Sequence, residues 1–156
     1  MVEKNNRKRV VIIMGAPGAG KGTQAELLAD KFSLYYLETS KVLEARMMNA
    51  KKGEFVAVRG KKYYMADEKK RWQAGLLNSD PFVNFLMRAK ISQYFNQGES
   101  LLLAGSPRSI DQAEELMPFI EKLYGVKNIK VILLEISVQE SIFRNSHRKI
   151  CELMRH

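Results

Sequence analysis

The sequence predicts an α/β fold built on a mainly parallel sheet with helices on both faces. Three observations predict it. Short apolar runs alternate with stretches of helical periodicity along most of the chain. The first run, Val10-Val-Ile-Ile-Met14, is continuously apolar, as a strand buried on both faces should be. The chain has 156 residues, 46% hydrophobic and 28% charged, which suits one domain with an ordinary core.

The elements follow in order. Ala25, Leu28, Ala29 and Phe32 fall at i, i+3, i+4 and i+7, one face of a helix over Thr23 to Phe32. Leu34 to Leu37 reads as a second short strand. Asp80-Pro81 opens a longer helix, with Asp80 as its cap, Pro81 in its first turn and Gly98 at its stop. Phe82, Phe85, Leu86 and Ala89 form its apolar stripe. Leu101-Leu-Leu-Ala104 is a third buried strand. Ser109 and Gln112 make a capping box ahead of Ala113, Leu116, Met117 and Ile120. Pro118 lacks the N–H that a helix interior uses, which predicts a kink or a restart. Ile129 to Ile136 is the fourth strand, and Ser137 with Glu140 caps a last helix. Between Lys41 and Asn78 the rhythm breaks. Phe55 to Met65 reads as a hairpin turning near Arg59-Gly60, inside an insertion over residues 38–77. Tyr63, Tyr64 and Trp72 are assigned to the small core of that insertion.

Charge narrows the partners. Lys and Arg number 26 against 17 Asp and Glu, a net charge of +9. Such a chain attracts polyanions, whether nucleic acid, anionic lipid or nucleotide phosphates. No run approaches the roughly 18 apolar residues of a membrane span. Val10 to Met14 is too short for the apolar core of a signal peptide. The single cysteine, Cys151, precludes an intrachain disulfide, so a cytoplasmic protein is expected.

The chemistry begins right after the first strand. Gly15-Ala16-Pro17-Gly18-Ala19-Gly20-Lys21-Gly22-Thr23 fits the phosphate-loop spacing, with Gly15, Gly20 and Lys21 in the required places. Glycines let backbone N–H groups converge on phosphate oxygens, and the following helix offers its positive end. Lys21 supplies a mobile point charge. The hydroxyl comes at Thr23, one residue later than the strict pattern.

Four stretches then carry a resemblance. Gly15 to Leu28, GAPGAGKGTQAELL, resembles the opening of adenylate kinases and other nucleoside-monophosphate kinases, where Lys-Gly-Thr is usual. Ala104-Gly-Ser-Pro-Arg-Ser-Ile-Asp-Gln112 resembles the family's Asp-Gly-Phe-Pro-Arg-Thr-x-x-Gln. Leu37 to Glu44 lies where the family has Ile-Ser-Thr-Gly-Asp-Met-Leu-Arg. Arg144-Asn-Ser-His-Arg148 resembles the paired arginines at the start of the family's lid.

The resemblance implies a phosphate-loop kinase core over 10–37 and 78–156, with residues 38–77 as an inserted NMP-binding segment. It implies ATP and Mg²⁺ as cofactors, AMP as acceptor with UMP or CMP as alternatives, and a monomer. By resemblance, Gly15 to Thr23 cradle the ATP phosphates. Lys21, Arg108, Arg144 and Arg148 are the catalytic cations, with both later arginines approaching ATP from one helix face at i, i+4. Thr39, Gly105, Arg108 and Gln112 hold the NMP, Gln112 by its base. Gln112 is equally a capping residue, and Arg144 and Arg148 equally a solvated face. His147 reads as a surface residue, and no metal-ligand set is present in the sequence.

Three departures from the pattern stand out. Ala104 replaces an Asp that organises the magnesium waters, so Mg²⁺ is expected to be held mainly by nucleotide phosphates and water, with Glu135 as a replacement carboxylate. Glu44 replaces an Arg to the acceptor phosphate, leaving Lys41, Arg46 or Arg59 to substitute. The sequence stops at His156, where the family's lid, a further strand and a final helix would follow. The rival readings are an ATP-binding module without turnover and an RNA-binding protein, the latter favoured only by the charge.

Overall fold

The computed structural model describes residues 8–148. Strand β1 (Val10–Gly15) leads into helix α1 (Lys21–Phe32), then β2 (Tyr35–Glu38) and α2 (Thr39–Met48). A hairpin of β3 (Phe55–Val58) and β4 (Lys61–Tyr64) runs directly into α3 (Met65–Gln73). The long α4 (Asp80–Asn96), β5 (Leu101–Ala104), α5 (Ile110–Tyr124), β6 (Ile129–Leu134) and α6 (Val138–Ser146) complete the order. The main sheet is fully parallel in the order β2-β5-β1-β6.

Side-chain alternation divides the sheet between two layers of helix. Val10, Ile12, Leu101 and Leu103 face α4 and α5, where Phe82, Met87, Ile91, Leu116 and Ile120 meet them. Ile13, Leu102 and Ala104 face α1 through Ala25 and Ala29. The expected fold class is therefore present, with helices on both faces. Leu43 and Met47 of α2, Val56 of β3 and Met65 of α3 join the first of these clusters. The hairpin turns at Arg59 (φ 50°) and Gly60 (φ 81°), both left-handed, a pair that matches the twist of two antiparallel strands.

Several expectations are corrected. Helix α1 begins at Lys21 rather than Thr23, because Gly20 in a left-handed conformation starts it. Phe32 is 54% exposed, since the face lying on the sheet is made by the small Ala25 and Ala29. Strand β2 is shifted to Tyr35–Glu38, and β6 ends at Leu134 rather than Ile136. Asp80 does not cap α4. Ser79 holds the cap position, and the Asp80 carboxylate reaches to the start of α5 instead. Phe85 and Ala89 are exposed, because the buried stripe of α4 runs through Phe82, Val83, Leu86, Met87 and Ile91. Tyr63 and Trp72 pack against the core while Tyr64 is exposed. Helix α5 continues through Pro118, whose unmatched carbonyl partner, that of Glu114, lies on an exposed turn open to water. Cys151 and His156 lie outside the described residues.

Candidate active site

The phosphate loop sits at the carboxyl end of β1, the second strand in from one edge of the sheet. Gly18 (φ 79°) and Gly20 (φ 84°) are left-handed, which the loop's curl requires. Lys21 opens α1, and its Nζ donates to the carbonyl oxygens of Gly15 and Ala16, each at 2.8 Å. The ammonium is thus folded beneath the loop. Burial, and then the positive charge of Arg108, hold its pKa below the ordinary lysine value.

Arg108 comes from the carboxyl end of the neighbouring parallel strand, β5. It follows a cis Ser106–Pro107 bond after β5. A Cβ placed on Gly105 would meet Arg108 Nη2 at 2.8 Å and Thr39 Cβ at 3.5 Å. Gly105, at φ 89°, therefore brings the guanidinium and the start of α2 together. Thr39 is buried, and its hydroxyl donates to Ser106 Oγ at 2.9 Å. Its side chain braces the turn after β5.

Gln112 is buried as well. Its Oε1 accepts from the Arg108 N–H at 2.9 Å, and its Nε2 donates to Asp80 Oδ1 at 2.7 Å. Ser109 Oγ accepts from the Gln112 N–H and donates to Asp80 Oδ2. The capping box is half made: Ser109 caps α5, but the Gln112 amide turns to Arg108 and Asp80.

Helix α6 closes over the loop. Ser141 Oγ donates to the Pro17 carbonyl at 2.8 Å, and Arg144 Nη1 donates to that of Gly18 at 3.3 Å. A Cβ on Gly18 would lie 3.2 Å from Arg144 Cβ, so the helix needs glycine there. Arg144 also pairs with Glu140 one turn earlier. Arg148 falls beyond Ser146, where α6 ends, and is exposed, so the two arginines do not share a helix face.

The profile of the adenylate kinase family matches residues 13–148. The chain belongs to the adenylate kinase family. It is 36% identical to the adenylate kinase of Caldicellulosiruptor bescii over 142 residues, 91% of this chain and 60% of that protein. It is 33% identical to that of Elusimicrobium minutum over 132 residues, 82% and 55% of the two. With that of Desulforamulus reducens the identity is 31%, over 91% and 61%. The chain spans 55–61% of the length of these adenylate kinases.

Against the family pattern, the candidate substitutes for the missing arginine are all engaged elsewhere. Lys41 lies 3.6 Å from Glu38, Arg46 2.6 Å from Glu54, and Arg59 3.4 Å from Glu115. Glu44 is exposed on α2, and Glu135 is exposed just past β6. Among the described residues, no group of three or more His, Cys, Asp or Glu side chains forms a metal cage. Thr23 lies exposed in the first turn of α1, a hydroxyl next to the loop of the kind that suits a cation carried on nucleotide phosphates. No described helix is long and apolar enough to cross a membrane. Ser141, Ser106 and Asp80 were missed as site-forming residues in the sequence. Ser141 stands three residues before Arg144, on the same turn, and that spacing was the available signal.

Proposed function

We propose that this chain is a nucleoside-monophosphate kinase that transfers the γ-phosphoryl of ATP to AMP, giving two ADP. The observation that carries the reading is the approach of Lys21 and Arg108. Two cations from the carboxyl ends of the neighbouring parallel strands β1 and β5 stand close enough for the Arg108 charge to add to burial in lowering the Lys21 pKa. Neither neutralises its neighbour, so the space between them suits a pair of anionic phosphates.

Each residue then has a task. The backbone of Gly15 to Gly22 and the Thr23 hydroxyl would hold the ATP phosphates. Lys21 would leave its two loop carbonyls for the β- and γ-phosphates, gaining a partner of full negative charge. Arg108 would grip the NMP phosphate with two parallel N–H donors. Arg144, already anchored on Gly18, would face ATP from α6. Arg148 joins it only if the chain beyond Ser146 folds back. Gly105 and Thr39 would form the wall of the acceptor pocket. Gln112 would touch the acceptor base with its second amide hydrogen, the first being held by Asp80. Mg²⁺ supplies charge neutralisation on the phosphates when bound. The protein's part is positioning, and the exclusion of water from two phosphates that repel each other. Residues 38–77 would act as the acceptor arm on the core, the chain working as a cytoplasmic monomer.

A second reading has one observation in its favour. Lys41, Arg46 and Arg59 are all paired with carboxylates, and Glu44 replaces a cation, so the acceptor side is short of positive charge. This supports an ATP-binding relative without turnover. A phosphoryl-transfer assay with ATP, Mg²⁺ and each of AMP, UMP, CMP and GMP separates the two. Turnover with AMP above the others supports the kinase. ATP-induced thermal stabilisation without transfer to any acceptor overturns it in favour of the binding module.

A further inference from the structure

In phosphate-loop proteins a cation bridging the nucleotide phosphates commonly meets a hydroxyl next to the loop and a carboxylate at a strand end. The two neighbours of β1 do not place one well. Strand β5 ends on Ala104, and the carboxylate after β6, Glu135, is exposed to solvent. The next strand does. Strand β2 ends on Glu38, in register with Ala104.

Residues paired in adjacent parallel strands point to one face and lie about 4.8 Å apart. Ala104 packs on the α1 side of the sheet with Ala25 and Ala29. Glu38 therefore projects toward α1 as well. Tyr36, two residues earlier, shares that face, and its hydroxyl lies 3.9 Å from a Cβ placed on Gly22. Burial first, and then the adjacent Glu38 charge, push the Tyr36 phenol well above its ordinary pKa. The carboxylate, the phenol and Gly22 thus form a continuous path from the end of β2 to the turn that carries Lys21 and Thr23.

Glu38 is also held ready. Ser40 Oγ donates to its Oε1, and the Lys41 ammonium stands 3.6 Å from its Oε2. Its side chain remains 32% exposed. A carboxylate offers about four lone-pair sites, so these donors orient it without filling it.

We propose that Glu38 is the positioning residue that orients the water shell of the magnesium ion carried in with ATP, the task a carboxylate at position 104 would otherwise perform. The proposal rests on the ATP-binding reading. Mg²⁺ gives up its waters reluctantly, so an outer carboxylate acts on it through them.

Calorimetric titration of the full chain with ATP, with and without Mg²⁺, tests this. Wild type should bind ATP more tightly when Mg²⁺ is present. Glu38→Gln should cut that magnesium-dependent gain by about tenfold, and metal-free ATP should bind as well as before or better. Glu38→Asp should restore part of the gain, while Glu135→Gln should leave it whole. Water-proton relaxation of the Mn²⁺·ATP complex should change in Glu38→Gln and not in Glu135→Gln. A full magnesium gain in Glu38→Gln, its loss in Glu135→Gln, or no gain in wild type overturns the proposal. Failure of wild type to bind ATP under either condition overturns the ATP reading itself, and the proposal with it.

Discussion

The Arg144 guanidinium donates to the carbonyl oxygen of Gly18, joining the last described helix to the crest of the phosphate loop. Ser141 makes a parallel link to Pro17. The two contacts present a cation beside the loop and use only its carbonyls, occupying none of its N–H groups. Arg144→Ala should weaken ATP binding about fivefold, on the order of 1 kcal/mol for a half-exposed charge-assisted contact. Arg144→Lys should recover little, because one ammonium cannot hold Gly18, Glu140 and a phosphate together. Titration with ATP checks both. An unchanged affinity in Arg144→Ala would remove this arginine from the site.

Lys21 should make ATP binding pH-dependent. Its folded-state pKa lies below the ordinary 10.5 because of burial and Arg108. Between the lowered value and 10.5 the unfolded chain holds more protons than the folded one. The contribution of this group to stability therefore rises with pH through that window. Phosphates bound at Lys21 would act in the opposite direction and raise the pKa again, so ATP binding should take up a proton there. ATP affinity should fall as pH rises through the same window, and Lys21→Met should flatten that fall. Titrations from neutral pH to pH about 10 read it directly.

The phosphate loop was legible in sequence because its requirements are local: glycines at fixed spacing after a strand and before a helix. The hairpin was legible for the same reason, with two left-handed residues at Arg59 and Gly60. What was hidden is nonlocal pairing. Asp80 stands where a cap is expected, yet its carboxylate serves Ser109 and Gln112, far along the chain. Glu68 lies within the charged run Asp67 to Arg71. It is 3% exposed, and accepts from Asn78 Nδ2 and the Ser79 N–H where α3 gives way to α4. Lys41, Arg46 and Arg59 looked available to an acceptor phosphate, because a sequence does not show the carboxylates that claim them.

Gly15 and Gly20 should differ in what they tolerate. Both have positive φ, 148° and 84°. A Cβ on Gly15 would lie 2.4 Å from the backbone oxygen of Leu134, the strand residue it pairs with, and neither backbone can retreat cheaply. A Cβ on Gly20 meets nothing within 4 Å. Gly20→Ala should cost about 1 kcal/mol, the conformational term alone. Gly15→Ala should cost more, about 2–3 kcal/mol, from the overlap. Urea unfolding midpoints rank the two, and equal midpoints would contradict the packing of the loop against β6.

The Asp80–Gln112 contact is the joint that holds Arg108. Gln112 fixes the Arg108 N–H with one end of its amide and Asp80 with the other. Gln112→Ala removes the acceptor of the part-buried Arg108 N–H and takes a partner from a carboxylate, so it should destabilise by about 1 kcal/mol or more. Ser109→Ala removes the cap and a second donor to Asp80, at about 1 kcal/mol. Because Asp80 is common to both contacts, the two losses should not add. A double-mutant cycle should return a coupling of at least about 0.5 kcal/mol. Gln112→Glu sets a second carboxylate against Asp80, and its deficit should shrink at acid pH as one carboxyl takes up a proton. Additive losses and a pH-independent deficit would mean that Asp80 and Gln112 act separately. The guanidinium would then owe its place to Gly105 and the turn after β5 alone.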